Sequence, residues 1–71
     1  MDIEKNRAKI RIRWDVKSKK DIEEARRLFL NLTKQGWLAT HISKEDGKRR
    51  RALKFISTQG ELYFIPLSEG G

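Results

Sequence analysis

Positively charged side chains are concentrated in two segments of this chain. Its 71 residues include 17 Lys and Arg against 10 Asp and Glu, which gives a net charge of +7. Residues 5–20 hold eight of the cations with one acid, and residues 44–54 hold six with two acids. Lys and Arg at this density favour a polyanionic partner, because they neutralise phosphates and release the counterions around them.

Residues that build metal sites or nucleophilic active sites are scarce. The chain has no Cys, and His41 is its single histidine, which excludes a disulfide framework and a thiolate zinc site. The sequence contains no Ser-His-Asp or Cys-His arrangement and no glycine-rich phosphate loop. It therefore predicts that the protein is not an enzyme and binds neither a cofactor nor a metal.

Length and hydropathy predict one small domain and a cytoplasmic location. The longest apolar runs fall far short of the roughly 20 residues that span a bilayer, and no N-terminal segment resembles a signal peptide. We therefore expect no membrane partner. Residues 1–8 lack apolar periodicity and are predicted to be a flexible tail, 9–67 a single α+β domain, and 68–71 a second flexible tail.

The clearest strand signal lies at residues 9–16, where polar and apolar residues alternate. Its apolar side consists of Ile10, Ile12, Trp14 and Val16, and its cationic side of Lys9, Arg11 and Arg13. Ser18 follows, and it can cap a helix together with Asp21, three residues further on. Apolar residues at helical spacing then predict a helix over residues 19–35 that ends at Gly36.

Three further strands are predicted at residues 37–43, 50–57 and 61–67, separated by turns at Asp46-Gly47 and Gln59-Gly60. The element order is then β-α-β-β-β. Because a helix connects the first two strands, we expect them to be parallel and the last three to form an antiparallel meander. The predicted fold is one helix packed on one face of a mixed three- to four-stranded sheet.

Alternation within these strands predicts which side chains the helix covers. The covered set is Leu38, Ile42, Leu53, Phe55, Leu62 and Phe64. The uncovered set is Trp37, Ala39, His41, Arg50, Ala52, Lys54, Ile56, Tyr63 and Ile65, to which the first strand adds Lys9, Arg11 and Arg13. A shift of one residue in any strand would exchange its two sets.

The predicted uncovered face combines cations with aromatic rings, as a surface that binds nucleic acid does. We expect Arg11, Arg13, Arg50 and Lys54 to contact phosphates or base edges. Lys9, Lys48, Arg49 and Arg51 would add backbone contacts, and Trp37 and Tyr63 would stack or pack. The sequence thus predicts a small nucleic-acid-binding module, of the kind that serves bacteria or mobile elements as an accessory protein. Duplex DNA is slightly favoured over single strands or RNA.

Two other functions fit parts of the sequence. Trp37, Ile56, Tyr63 and Ile65 would form an exposed apolar patch, which could bind a protein partner or a second copy of the chain as a homodimer.

The chain ends in Gly70-Gly71. This pair resembles the tail of the ubiquitin-like sulfur carriers, and the resemblance implies a terminal carboxylate that is adenylated and then thiolated. The β-grasp fold of those carriers has a two-stranded hairpin before its helix, whereas one strand is predicted before Ser18 here.

Overall fold

A computed structural model of the protein describes residues 1–66 and contains five strands and one helix. In chain order these are β1 (Asp2–Lys5), β2 (Ile10–Arg13), α1 (Lys19–Lys34), β3 (Trp37–Ile42), β4 (Arg49–Arg51) and β5 (Glu61–Pro66), with a 3₁₀ turn at Ser57–Gln59 before β5. The predicted tail 68–71, with Gly70 and Gly71, lies outside the described residues.

The five strands form one sheet in the order β1-β2-β5-β3-β4, and every neighbouring pair is antiparallel. The α+β class is confirmed, but the expected mixed sheet of three or four strands is not. β2 and β3 both run antiparallel to β5, so the strands that flank the helix do point the same way. They are not neighbours, because β5 lies between them.

The N-terminal residues were predicted to be a tail, and for β1 this is wrong. β1 pairs with β2, with Ile3 opposite Ile12 and Glu4 opposite Arg11. Asn6 forms the turn, since its side-chain oxygen accepts hydrogen bonds from the N–H groups of Ala8 and Lys9, both at 2.9 Å. A two-stranded hairpin therefore precedes the helix, where a single strand was predicted.

The helix agrees with its prediction at both ends. The Ser18 hydroxyl accepts a hydrogen bond from the Asp21 N–H at 3.2 Å, which caps the first turn. Gly36, just past the other end, has a φ of +102°. The helix turns Ala25 and Phe29 onto the sheet, where they are buried.

The core lies between this helix and the centre of the sheet. Its buried apolar residues are Ile10, Ile12, Trp14, Ala25, Phe29, Ala39, Leu62 and Phe64. The covered sides predicted for β2 and β5 are therefore confirmed. Trp14 also donates its indole N–H to the Ser57 carbonyl at 2.9 Å, which ties the 3₁₀ turn to the core.

The two sides of β3 are the reverse of the prediction. Ala39 aligns with Phe64 and is only 2% exposed, and Trp37 packs against the core. Leu38 and Ile42 therefore point away from the helix. Because the segment has apolar residues in both alternating positions, its pattern does not decide which side is buried, whereas pairing with β5 does.

The predicted strand 50–57 ends early, at Arg51. β4 and β5 run parallel to each other with β3 between them, so the connecting chain must return along the length of the sheet and cannot form a hairpin. This crossover passes on the helix side, where the Phe55 ring lies 5.3 Å from that of Trp14. Leu53, which was expected to be covered, is 81% exposed.

Candidate nucleic-acid interface

The sheet face opposite the helix, called here the open face, receives side chains from every strand. By strand register it consists of Asp2, Glu4, Lys9, Arg11, Arg13, Leu38, Thr40, Ile42, Arg49, Arg51, Glu61, Tyr63 and Ile65. One row crosses the whole sheet with one residue from each strand: Glu4, Arg11, Tyr63, Thr40 and Arg51. The two basic segments of the sequence therefore meet on one surface.

Tyr63 lies at the centre of the open face with cations on both sides. The Lys9 Nζ is 5.6 Å and the Arg49 Cζ 5.5 Å from the centroid of its ring, which are cation–π distances. Thr40, next to it on β3, is buried and donates its hydroxyl to the Tyr63 carbonyl at 3.1 Å. The Tyr63 ring therefore lies near one cation that immediately precedes β2 and one cation of β4.

Arg11 is the most tightly held cation of the open face. A hydrogen bond with the Tyr63 side chain, together with the nearby carboxylates of Glu4 and Glu61, raises the pKa of Arg11 above its ordinary value. The Arg11 Nη2 is 3.0 Å from the Glu4 Oε1, and its Nε is 3.9 Å from the Glu61 Oε2. Much of its charge is thereby matched within the protein.

Acids and bases are unevenly distributed across the open face. Among the described residues it carries five cations and three acids, and two of those acids, Asp2 and Glu4, belong to β1. β4, on the opposite side, contributes only Arg49 and Arg51. The face therefore changes from acidic at β1 to basic at β4.

Four residues of the predicted site lie elsewhere. Trp37 packs against the core, and Lys54 lies in the crossover after β4. Arg50 aligns with His41 on the helix side, and its Nη2 is 2.7 Å from the Asp46 Oδ2. Lys48 is exposed just before β4.

Asp46 organises the turn between β3 and β4. A hydrogen bond from the Lys48 N–H, followed in strength by one from Arg50, lowers the pKa of Asp46 below its usual value. Lys48 and Arg50 thus serve the turn that presents Arg49 and Arg51, rather than the open face itself.

Several open-face residues were not expected from the sequence. Asp2 and Glu4 were missed because β1 has one apolar residue, Ile3, itself 50% exposed, and so lacks a strand pattern. Leu38 and Ile42 were missed because the sides of β3 were reversed. The predicted apolar patch is also divided, since Tyr63 and Ile65 are on the open face, whereas Trp37 packs against the core and Ile56 lies in the crossover.

Features that could indicate other kinds of site are few within residues 1–66. No three His, Cys, Asp or Glu side chains there come together to hold a metal ion. No helix in this part of the chain has the length and hydropathy needed to cross a membrane. A shallow cavity of about 190 Å³ lies beside His41, Leu53 and Ile56 on the helix side. The buried His41 Nδ1 has no hydrogen-bond partner among the described residues.

Comparison with known proteins adds no relative to this description. No protein-family model, curated protein or solved structure matches the chain.

Proposed function

We propose that this protein binds nucleic acid through the open face. The observation that carries the proposal is that Arg13 on β2 and Arg49 and Arg51 on β4 lie on one face, on either side of Tyr63. These cations come from distant parts of the sequence, and the strand register brings them together. Clustered cations on a sheet face that no element of residues 1–66 covers suit a phosphate backbone.

The spacing of the cations favours duplex DNA. β2 and β4 are three strand positions apart, and strands are spaced about 4.8 Å, so their cations form two rows roughly 14 Å apart. This is close to the width of the major groove, about 12 Å, so that each row can contact the phosphates along one side of the groove. The five-stranded sheet, about 19 Å between its outer strands, is too wide to enter the groove face-on.

Four cations supply the phosphate contacts in this proposal: Lys9, Arg13, Arg49 and Arg51. Arg11 is not part of this set, because the carboxylates of Glu4 and Glu61 already lie beside it. Contacts of this kind position a protein on the duplex without reading its sequence. Stacking of bases has less support, because Tyr63 is the one aromatic residue of the open face as described and cations already lie near its ring.

Fluorescence anisotropy over a salt series tests this proposal. We expect labelled duplex DNA to bind with a slope of log K against log salt of about −3.6, which corresponds to four phosphates, and single strands to give about −2.8. Replacing Arg49 and Arg51 with Ala should flatten the duplex slope by about 1.8, while the same change at Lys19 and Lys20 on the helix should leave it unchanged. Duplex binding that is independent of salt, or unaffected by the β4 change, would contradict the proposal.

The β1–β2 hairpin favours one other function. The resemblance of Gly70-Gly71 to the sulfur carriers implies a fold with a hairpin before its helix, and β1 and β2 form such a hairpin. A carrier must gain mass at its terminal carboxylate when it is incubated with ATP and an adenylating enzyme of that system. Mass spectrometry that shows no change at Gly71 would exclude this function.

A further inference from the structure

The two outer strands of the sheet carry opposite charges on the open face. Within residues 1–66, β1 and β4 each have a neighbouring strand on one side only. β1 presents Asp2 and Glu4, and β4 presents Arg49 and Arg51. In both strands the two charges are two positions apart, which is about 7 Å along the strand. The edges are therefore complementary in sign and in spacing.

The free backbone groups of β4 belong to the same two arginines. Hydrogen bonds in an antiparallel pair alternate along the strand. The Ser43 N–H donates to the Lys48 carbonyl at 2.8 Å, so the backbone of Lys48 faces the chain of β3. Arg50 lies two residues further along, so its N–H and C=O also point towards β3. The N–H and C=O groups of Arg49 and Arg51 consequently point away from the sheet.

The free backbone groups of β1 are in a matching position. The Asn6 N–H donates to the Lys9 carbonyl at 3.0 Å, so the alternation directs the backbone groups of Glu4 towards β2 and those of Ile3 outwards. Suppose that β4 of a second copy lay parallel to β1. In a parallel pair, the N–H and C=O of one residue bond to two residues of the other strand, namely those on either side of the residue directly opposite. Ile3 can therefore bond to Arg49 and Arg51 of a second copy.

Strand direction allows this pairing. Antiparallel neighbours throughout the order β1-β2-β5-β3-β4 leave β1 and β4 pointing the same way. A second copy displaced sideways and rotated to follow the twist of the sheet would place its β4 parallel to β1 of the first, with the open faces on the same side. Asp2 would then lie beside Arg49 of the second copy and Glu4 beside its Arg51.

We propose that copies of this chain associate head to tail, with β1 of one copy pairing in parallel with β4 of the next. Pairing of two identical edges is disfavoured. Two β4 edges would bring arginines next to arginines, and two β1 edges with their open faces aligned would bring acids next to acids. A heterologous contact does not close on two copies, so it extends into a continuous sheet. Each copy adds five strands, or about 24 Å, to a shared open face.

Sedimentation equilibrium without nucleic acid tests this association. We expect the weight-average mass of the unchanged chain to rise above twice the 8.4 kDa of one copy at millimolar concentration and low salt. The weight-average mass should return to that of one copy in about 0.5 M salt, where charges are screened within a few ångströms. A mass that stays at one copy in low salt would overturn the proposal.

Variants with reversed charges test whether β1 and β4 are the strands that pair between copies. Asp2→Lys with Glu4→Lys should abolish association, and so should Arg49→Glu with Arg51→Glu, whereas an equimolar mixture of the two variants should associate as the unchanged chain does. Lys19→Glu with Lys20→Glu alters net charge as much as the arginine change and should have no effect. A mixture that fails to associate, although circular dichroism shows both variants folded, would overturn the proposal. Because no nucleic acid is present, these outcomes are independent of the proposed function.

Discussion

Neighbouring arginines on the open face have different surroundings, although the sequence presents them as equivalent. Arg11 contacts Glu4 and Glu61, while Arg13 on the same strand makes no ion pair among the described residues. A charge that is already matched gains less from a phosphate than one that is exposed to solvent. The register of β1 and β5 with β2, rather than residue type, separates the roles of the two side chains.

Single alanine substitutions should reveal this difference. We predict that Arg13→Ala flattens the slope of log K against log salt on duplex DNA by about 0.9, the value of one phosphate contact. Arg11→Ala should flatten it by less than half as much. Lys54→Ala, in the crossover, serves as the control and should leave the slope unchanged. Equal effects of the two β2 substitutions, measured by anisotropy, would show that the internal ion pairs do not limit Arg11.

Elements with one dominant pattern could be predicted from the sequence, and those with an ambiguous pattern could not. β2 alternates between Ile and Arg, and the helix has a cap at Ser18, so both lie within their predicted ranges, although β2 ends at Arg13 and not at residue 16. β1 has no apolar pattern, and β3 has apolar residues in both phases, so their places depend on pairing partners far along the chain. The pattern of β2 and β5 therefore predicts that Arg11, Arg13 and Tyr63 lie on the open face. It does not predict the acids of β1 or the inward position of Trp37.

The crossover between β4 and β5 depends on a turn that begins the last strand. Gly60 has a φ of +76°, and a Cβ added there would lie 3.3 Å from the Val16 Cγ1. We predict that Gly60→Ala lowers the free energy of unfolding by more than the roughly 1–2 kcal/mol that the left-handed backbone costs a non-glycine residue. Gly47→Ala is the matched control, because Gly47 has a φ of +70° with nothing within 4 Å of its Cβ position. Urea denaturation of both variants measures the difference, and equal losses would mean that the Val16 contact contributes nothing.

At the scale of the whole molecule, the acids of β1 oppose the proposed attraction of the open face for phosphates. Neutralising Asp2 and Glu4 would remove two of the three acids that residues 1–66 place on that face, and one of the two carboxylates beside Arg11. Phosphates bound near β2 would then meet a more positive local field, and such fields act over about a Debye length, roughly 10 Å at 0.1 M salt. The affinity for duplex DNA should therefore depend on where the removed acids lie as well as on how many are removed.

We predict that Asp2→Asn with Glu4→Gln strengthens duplex binding several-fold at about 50 mM salt and steepens the salt slope by up to about 0.9, as Arg11 becomes available to a phosphate. Glu23→Gln with Glu24→Gln changes the net charge by the same amount on the exposed side of the helix, away from the open face. Its effect on the dissociation constant should be much smaller, and its slope unchanged. If both variants bind equally more tightly, the attraction comes from the net charge of the molecule and the arrangement of the open face has no part in it.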